Sequence, residues 1–158
     1  MGPVVNRFRE YRYEDLETIF ELDEACFAEE FRFDRRSMSA FAEDRDAVTL
    51  IAEDGVKLIG FVIAHVKRVA PECRAYVVTL DVAPGWRRKG IGRELMEEVE
   101  ARALTSGACW IQLHVFTGNK AAIRFYERLG YERIREVRGY YGAAGLDAIV
   151  YGKDLQTT

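Results

Sequence analysis

A glycine loop between a predicted strand and a predicted helix is the part of this sequence best suited to bind a ligand. Residues 80–95 read LDVAPGWRRKGIGREL. Gly90 and Gly92 let the backbone approach a ligand closely, because glycine has no Cβ. The free N–H groups and the dipole of the following helix favour an anion, and the run Arg87-Arg88-Lys89 adds positive charge. The loop therefore predicts a site for a pyrophosphate.

Two common nucleotide-binding loops fit this stretch poorly. A dinucleotide-binding fingerprint needs a third glycine where Leu95 stands, and a P-loop needs a lysine after its last glycine, whereas Lys89 precedes Gly90. A basic turn that caps a surface helix is the remaining alternative for the loop taken alone.

His114 lies in a predicted strand with regular alternation. The odd-numbered residues from 111 to 115 are apolar, so His114 is expected on the opposite face, with Trp110, Gln112 and Phe116. A histidine has an ordinary pKa of about 6.5 and acts as a mild base near neutral pH. The residue types leave two interpretations open: a catalytic base and a packed strand histidine.

Hydrophobic periodicity and turn residues predict the elements that position these groups. Helices are expected at residues 15–27, 34–43, 90–105 and 120–129. Strands are expected at residues 4–9, 48–53, 58–66, 75–82, 110–116, 131–138 and 147–153. Helices that alternate with strands need crossover connections, and hairpins need antiparallel pairs. A mixed sheet flanked by helices is therefore expected.

Three local details of these elements can also be predicted. Asp34 is the expected N-cap of the second helix, and the dipeptide Asp54-Gly55 predicts a hairpin. The strand at 75–82 is expected to place four side chains on one face, namely Tyr76, Val78, Leu80 and Val82.

The composition is that of an ordinary globular protein. The chain has 158 residues, of which 49 % are hydrophobic and 31 % charged, so one domain over residues 1–158 is expected. The net charge is −3, which argues against a nucleic-acid partner. The apolar runs are shorter than the roughly 20 residues of a membrane span. No secretory leader is recognised, so neither a membrane nor secretion is expected.

The cysteines and histidines predict no metal site. Three cysteines are odd in number and widely spaced, which suits neither a disulfide framework nor a zinc pair. Two histidines are too few and too far apart for a zinc site. We expect reduced thiols, no metal and a cytoplasmic location.

Two motifs together resemble the GNAT acetyltransferases. The pattern Arg87-x-x-Gly90-x-Gly92 looks like the acetyl-CoA loop of that family, and residues 113–131, LHVFTGNKAAIRFYERLGY, resemble its pattern of Asn, then Ala-Ile, then Tyr-Glu-x-Leu-Gly-Phe. The resemblance covers residues 72–155 well and the first 70 loosely. It implies an α/β (α+β) fold, with a mixed, mostly antiparallel sheet of six to seven strands and about four helices. It also implies a single N-acetyltransferase domain.

Within this family the chain most resembles protein N-terminal acetyltransferases, including the ribosomal-protein alanine type. Three features carry this resemblance: residues 138–142, RGYYG, followed by Asp147-Ala148; the strand pattern at 76–80; and residues 27–31, FAEEF. The implied acceptor is the N-terminus of a protein or peptide, possibly a ribosomal protein, and the implied assembly is a monomer or homodimer. His114 stands where ribosomal-type members carry glutamate, so that specificity does not transfer.

The resemblance also implies which residues hold acetyl-CoA as co-substrate, with no metal. Backbone groups of Leu80, Asp81 and Val82 would pair with the pantetheine arm, on a strand splayed by a bulge, and the Val82 N–H would polarise the thioester carbonyl. Asn119 would bind the cofactor from the next helix start. The loop would hold the diphosphate through Arg87, Arg88, Lys89, Gly90, Ile91, Gly92 and Arg93.

The implied chemistry is removal of a proton from an amine, followed by attack on the thioester. His114 with Tyr76 would take the proton through a water, and Tyr126 would protonate the leaving thiolate. A terminal α-amine has a pKa near 7.7–8.0, against about 10.4 for lysine, so a mild base suffices. Aromatic side chains would narrow the acceptor groove and Glu29 would attract the charged terminus; the aromatic set is Phe27, Phe31, Tyr140 and Tyr141.

Two other functions remain open from the sequence. One is a GNAT enzyme for a small amine, such as a polyamine, an amino acid or an antibiotic. The other is an acyl-CoA-binding module without catalysis.

Overall fold

One mixed sheet with helices on both faces forms the molecule. The computed structural model describes residues 6–69 and 71–156. Its strands are β1 Asn6–Glu10, β2 Ala47–Asp54, β3 Lys57–Val69, β4 Glu72–Val82, β5 Trp110–Phe116, β6 Glu132–Tyr141 and β7 Leu146–Asp154. The helices are α1 Leu16–Cys26, α2 Arg35–Ala42, α3 Ile91–Thr105 and α4 Lys120–Arg128.

The sheet has the order β1-β2-β3-β4-β5-β7-β6. Every neighbouring pair is antiparallel except β4 and β5, which are parallel. This confirms the predicted mixed, mostly antiparallel sheet and the order of its elements. The first two residues of the strand expected at 4–9 lie outside the described part of the chain. Within residues 6–69 and 71–156, no helix has both the length and the apolar character needed to cross a membrane.

Local signals set the ends of several elements. The Asp34 side chain accepts a hydrogen bond from the Ser37 N–H at 2.7 Å, which confirms it as the N-cap of α2. The predicted hairpin joins β2 to β3, where Asp54 pairs with Lys57. Its two-residue turn is therefore Gly55-Val56, one position later than the Asp-Gly signal suggested.

Each face of the sheet has its own hydrophobic core. The larger core lies under α3 and α4, and we call this side the α3–α4 face. It contains the predicted apolar stripe of α3, namely Ile91, Leu95, Val99 and Ala103. The smaller core lies under α1 and α2, on the α1–α2 face, where Ile19 and Met38 cover Phe61 and Ile63.

A bulge in β4 corrects one prediction about this strand. Ile63 pairs with Thr79 and its neighbour Ala64 pairs with Val77, so Val78 is an extra residue in β4. An extra residue reverses the alternation of faces beyond it. The four side chains predicted on one face of this strand therefore do not share it. Leu80 and Val82 pack on the α3–α4 core, whereas Val78 packs on the core of the opposite face.

A gap opens between β4 and β5 beyond their first residues. The two strands pair only from Arg74 with Trp110 to Tyr76 with Gln112. Both continue past this point, β4 to Val82 and β5 to Phe116. Main-chain groups of both strands therefore border a cleft in the middle of the sheet.

Candidate active site

Val82 presents its backbone to this gap. Ala83 donates its N–H to the Ile59 carbonyl at 2.8 Å, and hydrogen-bonded and non-hydrogen-bonded pairs alternate along an antiparallel ladder. Val82, paired with Gly60, therefore turns its N–H and C=O away from β3. Its carbonyl accepts hydrogen bonds from Arg87 Nε at 3.2 Å and from Cys26 Sγ at 3.3 Å. Its N–H faces the gap.

The basic glycine loop leads from this strand into α3. Gly90 is the N-cap of α3 with φ +85°, a conformation that favours glycine. Since Gly90 has no side chain to cap the helix, the first amides of α3 point outward. Arg88 also has a positive φ, of 63°, and the run from Arg87 to Lys89 is exposed. The loop thus combines free amides, a helix dipole and cationic side chains.

Gly92 allows α3 to approach α4 and β4 closely. A Cβ built at Gly92 would lie 3.3 Å and 3.4 Å from ring atoms of Phe125 and 3.6 Å from Cγ2 of Val82. The second glycine of the loop therefore serves helix packing, and the first serves the turn that exposes the amides.

Asn119 caps the helix that carries Tyr126. Its Oδ1 accepts the Ala122 N–H at 3.1 Å, at the start of α4. The structure thus gives Asn119 a helix-capping contact. Tyr126 is 9 % exposed, and its ring makes edge contacts with Phe125 and Tyr131 at 5.0 Å and 5.6 Å between centroids. Burial raises the pKa of Tyr126, so its hydroxyl keeps its proton.

Tyr76, His114 and Tyr140 come together at the other side of the gap. Tyr76 Oη lies 2.6 Å from His114 Nδ1, and the Tyr140 ring stacks on the His114 ring at 4.0 Å and 9°. The two tyrosine hydroxyls are 3.4 Å apart. The His114 ring is thereby fixed by one hydrogen bond and one stacked ring.

The surroundings keep this histidine neutral. Burial, and then the positive charge of Arg135, lower the pKa of His114 below its ordinary value. Burial and the hydrogen bond with Tyr140 raise the pKa of Tyr76. A neutral imidazole joined to a protonated phenol can accept one proton from a bound group.

An aromatic wall continues from this centre. Phe31 lies 5.0 Å from Phe116 and 4.8 Å from Tyr141, and Tyr141 lies 5.1 Å from Tyr140 between ring centroids. Phe31 belongs to the turn before α2, whereas Tyr140 and Tyr141 end β6. The wall therefore joins two separate loops beside the gap. Burial raises the pKa of Tyr141 to about 12.

Two residues predicted to line the acceptor groove, Phe27 and Glu29, lie apart from these ring contacts. Phe27 is half-buried and forms the C-cap of α1, where its N–H binds the Asp23 carbonyl. Glu29 is exposed, in the short turn that carries Phe31. Neither residue takes part in the ring contacts recorded for the described chain.

Two residues outside the predicted set, Phe116 and Asp147, also shape the site. Phe116 faces the wall, and its alternation with His114 along β5 was a sufficient signal. Asp147 accepts the Gly139 N–H at 2.8 Å, in a stretch where β6 is irregular and Gly139 has φ +62°. This contact fixes the bend that brings Tyr140 over His114; Asp147 belongs to the hairpin pattern of the family resemblance, but its contact with Gly139 was not predicted.

Residues 6–69 and 71–156 contain no group of three or more His, Cys, Asp or Glu side chains arranged to hold a metal ion. The three cysteines are free.

Comparison with known proteins gives a family for this chain. The family model described as the acetyltransferase (GNAT) family matches residues 13–131. The chain is 34 % identical over 84 residues to the N-terminal acetyltransferase B complex catalytic subunit naa20 of Schizosaccharomyces pombe, over 53 % of this chain and 47 % of that protein. It is 34 % identical over 105 residues to the N-alpha-acetyltransferase RimI of Mycobacterium tuberculosis, over 65 % of this chain and 63 % of that protein.

The fold also matches solved structures. The crystal structure of Arabidopsis thaliana NAA60 in complex with acetyl-CoA superposes with a TM-score of 0.86 and 23 % identity, over 97 % of this chain and all of the other. At that identity the match shows the fold alone. The chain spans less than two thirds of the length of either curated relative.

Proposed function

This chain belongs to the acetyltransferase (GNAT) family, and from that premise we propose that it transfers the acetyl group of acetyl-CoA to the α-amino group of a protein or peptide. The observation that carries the proposal is the neutral His114, fixed between Tyr76 and Tyr140 beside the β4–β5 gap. This arrangement offers a base for an amine on one side of a cleft whose other side has the anion-binding loop.

The residues present fit a CoA thioester. The exposed amides of α3, with Arg87, Arg88, Lys89 and Arg93, match a diphosphate, and the outward N–H of Val82 matches a carbonyl oxygen. Leu80 and Asp81 complete the strand segment, and Ile91 and Gly92 the helix start. Acetyl-CoA supplies an acetyl group activated as a thioester.

His114 and Tyr76 are assigned to remove the proton from the amine. For His114 to accept it, the lone pair must be on Nε2, so Nδ1–H must donate to Tyr76 Oη. The Tyr76 O–H then donates towards Tyr140 Oη, 3.4 Å away. The lowered pKa of His114 leaves this base neutral near pH 7, where a terminal amine of pKa about 8 is partly deprotonated.

Tyr126 is assigned to protonate the leaving sulfur. It lies on the α3–α4 face, opposite the histidine, and its raised pKa keeps the hydroxyl proton available. Base and acid thus lie on opposite sides of one cleft, which allows the proton to enter and leave at different points. Asn119 contributes by capping the start of α4.

The aromatic wall supports a chain terminus as acceptor. Phe31, Tyr140 and Tyr141 approach one another from two loops and narrow the entrance. Phe27 and Glu29 are assigned to the same acceptor groove. A narrow aromatic entrance suits an extended peptide better than a polar small amine. The curated relatives named as N-terminal acetyltransferases favour the same acceptor class.

The setting of the activity is part of the proposal. We take residues 1–158 to act as one N-acetyltransferase domain, because both cores cover a single sheet. Three free thiols suit a reducing cytoplasm. A protein N-terminus, such as that of a ribosomal protein, is the proposed partner of a monomer or homodimer.

A peptide library tests the acceptor. The protein is incubated with acetyl-CoA and short peptides with free or blocked N-termini, and the products are read by mass spectrometry. We expect acetylation at free α-amines only, with internal lysines unmodified. Acetylated polyamines, amino acids or aminoglycosides without acetylated peptides would contradict the proposed acceptor class. Binding of CoA without any acetylated product would contradict the proposal that the protein is a catalyst.

A further inference from the structure

Two carboxyl groups that the proposed chemistry leaves unused are both buried, and a side-chain hydrogen bond links them. Asp23 on α1 is fully buried, and Asp81 on β4 is 1 % exposed. Burying an ionised carboxylate is costly unless hydrogen bonds or an opposite charge compensate it. The hydrogen-bond partners of the four carboxyl oxygens therefore indicate whether both groups can be ionised in the folded protein.

Each carboxyl has one oxygen with a hydrogen-bond donor and one without. Asp23 Oδ2 accepts the Phe33 N–H at 3.0 Å, and Asp81 Oδ1 accepts the Thr79 hydroxyl at 2.5 Å. Within the described residues no donor reaches Asp23 Oδ1 or Asp81 Oδ2, although both atoms are buried. One proton between these two oxygens satisfies both, because a carboxylic O–H donates strongly to a carboxylate.

We propose that Asp23 and Asp81 share one proton, held on Asp81 Oδ2 and donated to Asp23 Oδ1, and that this pair positions the acceptor loop against the cofactor strand. The proposal rests on the proposed function for what is positioned, but the pair itself is independent of turnover. The proton is assigned to Asp81 because burial, followed by the neighbouring Asp23, raises the pKa of Asp81.

The pair connects the two sides of the candidate site. Asp81 precedes Val82, whose N–H faces the gap, and Asp23 holds Phe33, which follows the turn that carries Phe31. A hydrogen bond between the two carboxyl groups therefore ties the loop of the aromatic wall to the strand that borders the cleft. Neither carboxyl touches the reacting atoms, so both are positioning residues.

The charged and titratable groups around the pair agree with a protonated Asp81. Burial, followed by the hydrogen bond and charge of Asp23, raises the pKa of Asp81 well above its ordinary value, while Thr79 and Arg87 act in the opposite direction. Cys26 on α1 and Tyr126 on α4 are the other titratable neighbours, and burial raises the pKa of each, so both are neutral. Arg87 is the one cation among the groups acting on Asp81 in the described residues.

The sign of the pH dependence follows from this shift. The unfolded chain loses the Asp81 proton near pH 3.9, whereas the folded chain keeps it to higher pH. Stability contributed by the pair is complete below the unfolded pKa and is lost as pH rises through the folded pKa. One linked proton changes the unfolding constant by up to about tenfold per pH unit.

Infrared spectroscopy and unfolding test the shared proton directly. Asp81→Asn keeps a donor for Asp23 but needs no proton. We expect a protonated-carboxyl band that persists in the wild type above the ordinary aspartate pKa of about 3.9, because the pKa of Asp81 is raised. The band should be lost in Asp81→Asn and kept in the surface control Glu98→Gln. The ratio of the wild-type and Asp81→Asn unfolding constants should also change with pH, and the ratio for the control should not. Absence of the band, or a pH-independent ratio, overturns the proposal.

Hydrogen exchange and kinetics test the positioning role. In Asp81→Ala, we expect faster exchange of the Phe33 amide and an acceptor-peptide KM raised about tenfold, the effect of losing a charged hydrogen bond. Asp81→Asn should restore both values; Asp23→Asn gives a second donor-retaining variant if the alanine variant fails to fold. Unchanged exchange in Asp81→Ala, or no rescue by either asparagine variant, overturns the positioning role.

These readouts separate the two hypotheses. A chain that shows the shared proton but acetylates no peptide contradicts only the proposed function. A chain that acetylates peptide termini without the protonated-carboxyl band contradicts only the pair.

Discussion

The ring of His114 has contacts that orient it from two directions. Tyr76 binds Nδ1 and Tyr140 stacks on the ring face, which leaves Nε2 as the atom free to meet a substrate. Orientation of an imidazole by a second group is a common feature of histidine bases. The Tyr140 ring, expected at the acceptor groove, thus also contributes to the position of the base.

Replacement of this histidine tests its role. We expect His114→Ala to lower kcat by about 10²-fold, the ordinary contribution of a general base, while the Kd of CoA stays unchanged. The wild-type kcat should fall at acidic pH with a midpoint below the ordinary histidine pKa of about 6.5, because burial lowers the pKa of His114. Steady-state kinetics across pH and calorimetry measure both. Full activity in the variant would make His114 a packing residue.

The sequence predicted the face of His114 correctly because β5 alternates without interruption: its burial changes at every residue from Trp110 to Phe116. It did not predict the face of Leu80 and Val82, because the extra residue Val78 has no signature in composition or periodicity. The bulge is set by pairing with β3, a contact between distant parts of the chain.

At the scale of elements, the loop before α3 concentrates positive charge where the helix presents free amides. We expect Arg88→Glu to weaken CoA binding by about tenfold or more, since a charge-assisted contact becomes a repulsion. Arg45→Glu makes the same charge change in an exposed turn after α2 and should leave the affinity unchanged. Calorimetric titration with CoA measures both variants. Equal CoA affinities of the two variants would mean that the loop does not bind the diphosphate.

The contact of α3 with α4 depends on the missing side chain of Gly92. We expect Gly92→Val to destabilise the protein by about 1–3 kcal/mol, because overpacking against Phe125 and Val82 outweighs a smaller gain in helix propensity. Gly85→Val is the matched control, since nothing lies within 4 Å of a Cβ there. Urea unfolding measures the difference. Equal stabilities of the two variants would show that Phe125 moves aside without cost.

Over the whole molecule, the element order and the sheet class were predictable, because hydrophobic period and turn residues are local signals. Asp23 shows the limit of such signals: it stands four residues after Ile19 on the buried face of α1, yet its partner Asp81 is distant in sequence. A contact between neighbouring strands also shapes the irregular part of β6, where Asp147 on β7 accepts the Gly139 N–H.

The outer edge of the sheet is held by charges, and its stability should depend on acid. Glu53 on β2 pairs with Arg7 and Arg9 on β1, at 2.5 Å and 3.0 Å. The hydrogen bond from Arg7, then that from Arg9, lowers the pKa of Glu53. This contribution is present above the unfolded glutamate pKa of about 4.3 and is lost as pH falls through the lower folded value.

A substitution isolates this edge contribution. We expect Glu53→Gln to be less stable than the wild type at about pH 7 and nearly equal to it at about pH 2. Glu98→Gln on the exposed side of α3 should match the wild type at both values. Urea unfolding at the two pH values measures the change. A difference that persists in acid would mean that Glu53 acts by shape and not by charge.

The gap in the sheet has a further consequence for how the protein withstands unfolding. Beyond the pair of Tyr76 with Gln112, the facing peptide groups of β4 and β5 form no hydrogen bonds with each other. A thioester arm bound in this gap would hydrogen-bond to the peptide groups of both strands. The contacts that give affinity would therefore also stabilise the fold. Enzyme saturated with CoA should then resist heat and proteases by a margin that grows with the logarithm of ligand concentration. In the ligand-free enzyme, we expect proteases to cleave first in the unpaired parts of β4 and β5.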